Sequence, residues 1–319
     1  MSQKAYSALL ARILEWAHDE AGVPKGKIPT PKQQDEISER LRITLEHAKM
    51  FHIDPERHER QSYFLRAKAP IVVAHTGNKW GKTFALLLRG LVASFGCAPW
   101  DPDNTAVYNP LDREPPVRVI LIVQDYATSL PLDIIPRLKE IMPWDALVTK
   151  VSRVQGQVID GFELWNGSTW KILSHVQEDE RFEGWSAHLL LWNEPMPRSK
   201  FIGACRGAIE FNAPHIMSFT PISEPWLYDE IYLPSHKIRD QASFLSSFTE
   251  KPEIAVVEGL IYDNPFIPKE AIDRYEQQIP ESQRAARIFG EWAHLSGRVY
   301  KFFSREKHVV PLEQLVSMN

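Results

Sequence analysis

The sequence predicts an α/β protein: a mainly parallel sheet with helices on both faces. Short uninterrupted apolar runs recur along the chain, segments of helical spacing separate them, and one run passes through a glycine-bearing loop directly into a helix. Up to about Arg60 both charge signs are mixed, and apolar residues recur at helical spacing in two stripes, one through Leu9, Ile13 and Ala17 and one through Ile37, Leu41 and Leu45. Residues 1–60 are therefore read as a helical segment. Ile71 to Ala74 is a buried strand, and the pattern from Phe84 to Leu91 is the helix after it. Val117 to Val123 is a second strand and Leu132 to Ile141 its helix. Val158 to Trp165 and Thr169 to Leu173 flank Asn166-Gly167, a dipeptide that takes positive φ at little cost, and predict a hairpin. Leu189 to Trp192 and His215 to Phe219 are two more buried strands, with helical patterns at Phe201 to Phe211 and Trp226 to Tyr232. Residues 61–250 thus form a core, and 251–319 a smaller region that is helical from Lys269 to Trp292 and basic from Val299 to Lys307.

Composition excludes several classes. The 319 residues are 44% hydrophobic and 24% charged, as in globular proteins and unlike disordered or coiled-coil chains. No apolar run approaches the roughly 18 residues that cross a bilayer, and Glu15, Asp19 and Glu20 stand where a signal peptide would be apolar. Cys97 and Cys205 lack any ligand spacing, so neither a disulfide framework nor a structural zinc site is expected. A net charge of −4 carries no global signature of nucleic-acid binding, so any DNA contact must be local or shared among subunits.

The chemistry concentrates in Thr76-Gly77-Asn78-Lys79-Trp80-Gly81-Lys82-Thr83, between the first strand and its helix. A phosphate loop needs backbone N–H groups free to wrap an anion, a helix N-terminus behind them, a lysine for the β/γ oxygens and a hydroxyl for Mg²⁺. All four are present, with Thr76 where the common pattern has glycine and Gly77 one place later. A second element is Leu189-Leu190-Leu191-Trp192-Asn193-Glu194-Pro195. A phosphate-loop ATPase places a metal-side carboxylate and a water-orienting glutamate at such a strand end. Here Asn193 takes the metal position with a neutral amide, and Glu194 keeps the position of the catalytic base.

In this order the motifs resemble the ATPase portion of tailed-phage terminase large subunits, the motors that package double-stranded DNA. The loop is similar to the family's G-G-N-R-S-G-K-T, Arg181-Phe182-Glu183-Gly184 precedes the acidic strand, and Ser218-Phe219-Thr220-Pro221 resembles the coupling motif, with Trp226, Tyr228 and Asp229 behind it. Asp263-Asn264-Pro265, Arg287 to Glu291 and Gly297 to Tyr300 extend the resemblance, which covers about Glu59 to Phe303. It implies a P-loop NTPase of the ASCE type with a C-terminal lid region, ATP and Mg²⁺ as cofactors, and an ATP-hydrolysing motor that moves viral DNA into a procapsid in the host cytoplasm. Double-stranded DNA, copies of the chain in a ring, a portal protein and a small terminase subunit are the implied partners. The family continues into a nuclease domain that would begin where this sequence stops at Asn319, so no nuclease activity is expected.

The resemblance also assigns roles. Lys82, Glu194 and Arg181 would be catalytic, Arg181 as a finger offered to a neighbour in the ring. Residues Thr76 through Thr83 would bind nucleotide, with Gln61 upstream, where similar motors place adenine contacts and where Tyr63 and Phe64 also lie. Thr83 and Asn193 would face the metal, and Thr220 would couple nucleotide state to the DNA side. For Arg181 a salt bridge to Glu178, Asp179 or Glu180 is the other reading, with Arg206 as a reserve finger. Two rival functions stay open: a nucleotide-binding structural or regulatory subunit with little hydrolysis, as Asn193 would explain, and a helicase-like ATPase.

Overall fold

The computed structural model describes residues 2–154, 157–182 and 184–292. Helix α1 (Ser2–Glu20) packs against α2 (Pro31–His47), which opens on Thr30, whose hydroxyl and the Gln33 side chain cap each other's backbone N–H groups. Helix α3 (Glu59–Arg66) precedes strand β1 (Ile71–Thr76), and the phosphate loop joins β1 to α4 (Lys82–Phe95). A short α5 (Thr105–Tyr108) leads to β2 (Arg118–Val123). The helix predicted after β2 begins as a π-helical turn over Leu130–Ile134 and continues as α6 (Ile135–Ile141). Then come α7 (Trp144–Leu147), β3 (Val148–Val154), β4 (Val158–Leu164), β5 (Thr169–Ser174), β6 (Leu189–Asn193), α8 (Arg198–Ile209) and β7 (His215–Phe219). After a π-helical segment at Leu227–Tyr232, the described chain closes with β8 (His236–Ile238), α9 (Gln241–Glu250), β9 (Ile254–Gly259), α10 (Lys269–Gln278) and α11 (Glu281–Arg287).

The strands form one sheet in the order β3-β4-β5-β2-β6-β7-β1-β9-β8. From β5 to β8 every neighbouring pair is parallel, while β3, β4 and β5 form an antiparallel meander at one edge. The expected hairpin is β4 and β5, turned at Gly167 with φ 82°. In the parallel strands alternate residues enter two cores. Val72 and Ala74 of β1, Leu121 of β2 and Leu191 of β6 pack with α1, α3 and α4, whereas Val73, Ile122 and Trp192 pack with α8 and the segment around Leu227. Burial on both faces is why these strands read as continuous apolar runs rather than alternating ones.

Three strands go beyond the expected set. β3 is exposed at five central positions and carries almost no apolar signal, β8 is three residues long, and β9 pairs with β1 along its whole length. β9 lies in the region read as a lid and brings that region against the phosphate loop. The helical stretch expected from Lys269 to Trp292 is two helices separated at Pro280, with residues 288–292 beyond them. Glu183, Gly297 to Tyr300 and the basic stretch lie outside the described residues.

Candidate functional site

The order β1, β7, β6 decides the site. β7 stands between the loop strand and the acidic strand, all three run in parallel, and so the phosphate loop, Thr220 and Glu194 emerge at one edge of the sheet. There Lys82 Nζ donates to Thr220 Oγ1 at 2.8 Å and lies 3.8 Å from Glu194 Oε1. Thr83 Oγ1 donates to Asn193 Oδ1 at 3.1 Å. Thr220 Oγ1 in turn donates to Asn78 Oδ1 at 3.1 Å. Six of the sequence-predicted residues therefore meet here, Asn78, Thr220, Lys82 and Glu194 in one linked set and Thr83 with Asn193 beside it. Burial pulls the Lys82 pKa down, since the ammonium gives up hydration, and the Glu194 carboxylate opposes that shift. Glu194 itself holds φ 73°, a left-handed conformation that a residue with a Cβ adopts at a cost of about 1–3 kcal/mol when the surroundings impose it. Its N–H bonded to the Ser218 carbonyl at 2.8 Å is part of that imposition.

The loop is shaped by residues on both sides. Lys79 and Gly81 take left-handed backbone at φ 59° and 97°. Trp80 turns its side chain into the core, edge-on to His58 and Phe64, so only its backbone faces the loop's interior. His58 Nε2 donates to the Trp80 carbonyl at 3.0 Å while Nδ1 accepts from the Gln61 N–H at 3.3 Å. That pattern suits a neutral imidazole, and burial lowers the His58 pKa accordingly. The buried Gln61 side chain donates to the Gly81 carbonyl at 3.3 Å, bracing the loop. Tyr63 and Phe64 are core residues: Tyr63 stacks on Phe244 and donates to Glu59, and neither is open to a base.

From the other side, the Gly77 N–H donates to the Gly259 carbonyl at 3.0 Å and the Asn78 N–H to the Arg287 carbonyl at 2.7 Å. Asn264 Nδ2 donates to the Lys79 carbonyl at 2.6 Å, and Asn78 Nδ2 to the Tyr275 hydroxyl at 3.0 Å. A Cβ at Gly77 would lie 2.5 Å from the Ile288 carbonyl oxygen, so glycine is required at this position by the segment packed over it. Thr76 is fully buried with its side chain accommodated. Among the described residues, the N–H groups from Lys79 to Thr83 donate to no protein acceptor outside the helix, which leaves the helix N-terminus and the turn before it as an anion cradle. Beside it opens a cleft of about 680 Å³ lined by Lys79, Lys82, Thr83, Asp133, Arg137 and Tyr275 among others. Sequence reasoning passed over His58, Asp133, Arg137 and Tyr275, and gave Asn264 no role.

Arg181 does not join the network. It is exposed on a short turn, Asp179–Phe182, and among the described residues it makes no hydrogen bond or ion pair with Lys82, Thr83, Asn193 or Glu194. The salt bridge considered for it is not formed with Glu178, Asp179 or Glu180 among the described residues; Asp179 pairs instead with the buried Lys200 at 2.5 Å. Arg206 lies on α8, which packs against the same turn.

For the metal, Thr83 and Asn193 offer a hydroxyl and an amide oxygen, and no group of three or more His, Cys, Asp or Glu side chains suited to a metal ion occurs among the described residues. This sparse oxygen set fits Mg²⁺ carried by a nucleotide's phosphates and water rather than a protein-caged ion.

No family model matches the sequence, and no curated protein matches it. Solved structures do. The large terminase of a thermophilic bacteriophage superposes with a TM-score of 0.50 at 16% identity, covering 80% of this chain and 58% of that one. The same protein in complex with ADP gives 0.50 and 16%, over 81% of this chain and 58% of that one. The ATPase domain of the Thermus phage P74-26 large terminase gives 0.55 at 12% identity, over 76% of this chain and 96% of that domain. The chain thus has the fold of phage large-terminase ATPase domains, and it spans about 58% of the length of the first of these large terminases.

Proposed function

We propose that the chain is the ATPase domain of a DNA-packaging terminase. The observation that carries the reading is the network at the ends of β1, β7 and β6, in which Lys82, Thr83, Asn193, Glu194 and Thr220 meet. The N–H groups from Lys79 to Thr83 cradle the β-phosphate and Lys82 steadies the β/γ oxygens. Thr83 and Asn193 would hold Mg²⁺, which when bound would neutralise charge on the phosphates. Glu194 orients a water for in-line attack on the γ-phosphate, its constrained backbone setting where the side chain leaves the strand and Lys82 standing 3.8 Å from its carboxylate. Thr220, bonded at once to Lys82 and Asn78, relays the occupancy of the phosphate site to the strand end. Arg181 completes a neighbour's site in a ring, where a finger is worth about 10³ to 10⁵ in rate. Double-stranded DNA is the track, contacted through backbone phosphates by a few basic residues from each subunit. A portal protein and a small terminase subunit are the docking partners, at the procapsid in the host cytoplasm; no described helix is long and apolar enough to cross a membrane.

Asn193 favours a second reading, in which nucleotide binds but turns over slowly and the chain is regulatory. Nucleotide titration together with DNA-stimulated phosphate release separates the two. Lys82→Ala should abolish binding in both. Unchanged affinity in Lys82→Ala would remove the phosphate-loop assignment, and binding without any DNA-stimulated turnover in the assembled ring would select the regulatory reading.

A further inference from the structure

We propose that Arg137 is a phosphate-binding residue of this nucleotide site, presented by Asp133; the inference rests on the nucleotide reading of the loop. β2 lies beside β6, so the helical stretch after β2 begins on the same edge of the sheet as the phosphate loop. It enters through the π-helical turn at Leu130–Ile134, an irregularity that occurs often at functional sites. Asp133 and Arg137 are one turn apart there, and both line the cleft of about 680 Å³ that holds Lys82 and Thr83. They stand close enough to Lys82 that Asp133 favours its charged form and Arg137 disfavours it, as smaller effects beside burial and Glu194.

The geometry of the pair is specific. Arg137 Nε donates to Asp133 Oδ1 at 2.6 Å, which fixes one edge of the guanidinium. Its two terminal nitrogens have no hydrogen-bond partner among the described residues. A guanidinium held by one edge offers the other two N–H groups in a planar fork, the arrangement that grips a phosphate through two parallel bonds. The charge balance points the same way. Lys79, Lys82 and Arg137 line the cleft against the single carboxylate of Asp133, with Glu194 beside Lys82, so a polyphosphate supplies the missing negative charge.

The competing account is an ordinary half-exposed pair on a helix surface, which contributes only tenths of a kcal/mol. The two accounts predict different mutants. If the pair merely supports the helix, Asp133→Asn and Arg137→Ala remove the same interaction and act alike. If Arg137 grips phosphate, losing the cation matters and Asp133→Asn matters little, because the asparagine amide oxygen still accepts the Nε–H bond that presents the guanidinium.

The experiment is calorimetric titration of the full chain with ADP and with a non-hydrolysable ATP analogue, on wild type, Arg137→Ala, Arg137→Gln, Arg137→Lys and Asp133→Asn, with thermal melts of each. Arg137→Ala and Arg137→Gln should weaken binding about tenfold to a hundredfold, the usual worth of a charge-assisted hydrogen bond. Arg137→Lys should restore little of it, since an ammonium cannot form the fork, and Asp133→Asn should bind as wild type. Wild-type affinity in Arg137→Ala, with Lys82→Ala non-binding, would overturn this inference and leave the nucleotide site standing. Equal losses in Asp133→Asn and Arg137→Ala would also overturn it. Full binding by Lys82→Ala would remove the nucleotide site, and the inference with it.

Discussion

Asn193→Asp is the substitution in which the structure sets opposite signs for stability and rate. Asn193 is 3% exposed at the end of β6, with its Oδ1 accepting from Thr83. A carboxylate keeps that bond but brings a full charge into a buried site already holding Glu194 beside Lys82 at 3.8 Å. One ammonium then serves two carboxylates. The residual desolvation of the new charge should destabilise the protein by about 2 kcal/mol, since the full penalty of several kcal/mol per ion is partly offset by Lys82. For a chain of 319 residues that lowers the melting temperature by roughly 3 °C. With Mg²⁺ and nucleotide the sign reverses, because the carboxylate gains a cation to face and the melting temperature should return to the wild-type value or exceed it. If that extra charge acts mainly on the transition state, kcat should rise by about tenfold to a hundredfold while nucleotide affinity changes less. Differential scanning fluorimetry with and without MgATP, beside steady-state phosphate release in the presence of DNA, reads all three quantities. A melting temperature lowered equally with and without MgATP, and an unchanged kcat, would show that Asn193 does not face the metal.

Two further substitutions and one titration test the architecture around the site. Gly77→Ala should cost about 2–3 kcal/mol and most of the nucleotide affinity, because its Cβ would stand 2.5 Å from the Ile288 carbonyl and break the bonds from Gly77 and Asn78 to Gly259 and Arg287; a wild-type melt would refute the packing of the 287–290 segment over the loop. Acid should destabilise the fold between about pH 6.5 and 4, since burial pushes the pKa values of His75 and His215 down to about 4. The unfolded chain then binds protons that the folded chain excludes, so stability is full above the unfolded pKa and falls as pH drops, by up to roughly 3 kcal/mol for each histidine. His215 Nδ1 accepts from the Trp192 indole at 3.2 Å, and protonation there would set two donors face to face. His215→Gln, whose amide oxygen can still accept that bond, should flatten the pH dependence of urea unfolding by about one proton; an unaltered slope would mean that His215 takes no part.

What the sequence makes legible follows from where each strand lies. β1, β2, β6 and β7 are buried on both faces, which forces uninterrupted apolar runs, and each is legible near its true bounds. β3 is an edge strand with its centre in solvent, so nothing in Thr149 to Arg153 had to be apolar. β9 does have a short apolar run, Ile254 to Val257, yet its partner β1 lies far earlier in the chain, and no local pattern reveals such a pairing. Reading residues 251–319 as one lid region misses that its first strand is part of the main sheet.

The site divides along the same line. Asn193, Glu194 and Thr220 sit at or just past strand ends and Lys82 and Thr83 open the helix after one, places that a motif a few residues long specifies, and the structure brings them together. His58, Asp133, Arg137, Asn264 and Tyr275 reach the loop from other elements, and their types carry no signal until the fold sets them there. The displaced glycine shows how the two levels meet. As a motif, Thr76-Gly77 looks like a phosphate loop with a fault in its first position. In the fold, the carbonyls of Arg287 and Ile288 crowd position 77, whereas the fully buried position 76 accommodates a threonine side chain, so the absence of a side chain is demanded one residue later than the common pattern has it. The Gly290 backbone closes the same contact from above: a Cβ there would lie 2.9 Å from the Gly77 nitrogen and from the Gly259 oxygen, so the two glycines are required by a single three-way approach of β1, β9 and the chain after α11. The glycine at position 77 is therefore a consequence of how residues 254–290 pack on the loop, and the proposed phosphate site would use the N–H groups from Lys79 onward, which that packing leaves free.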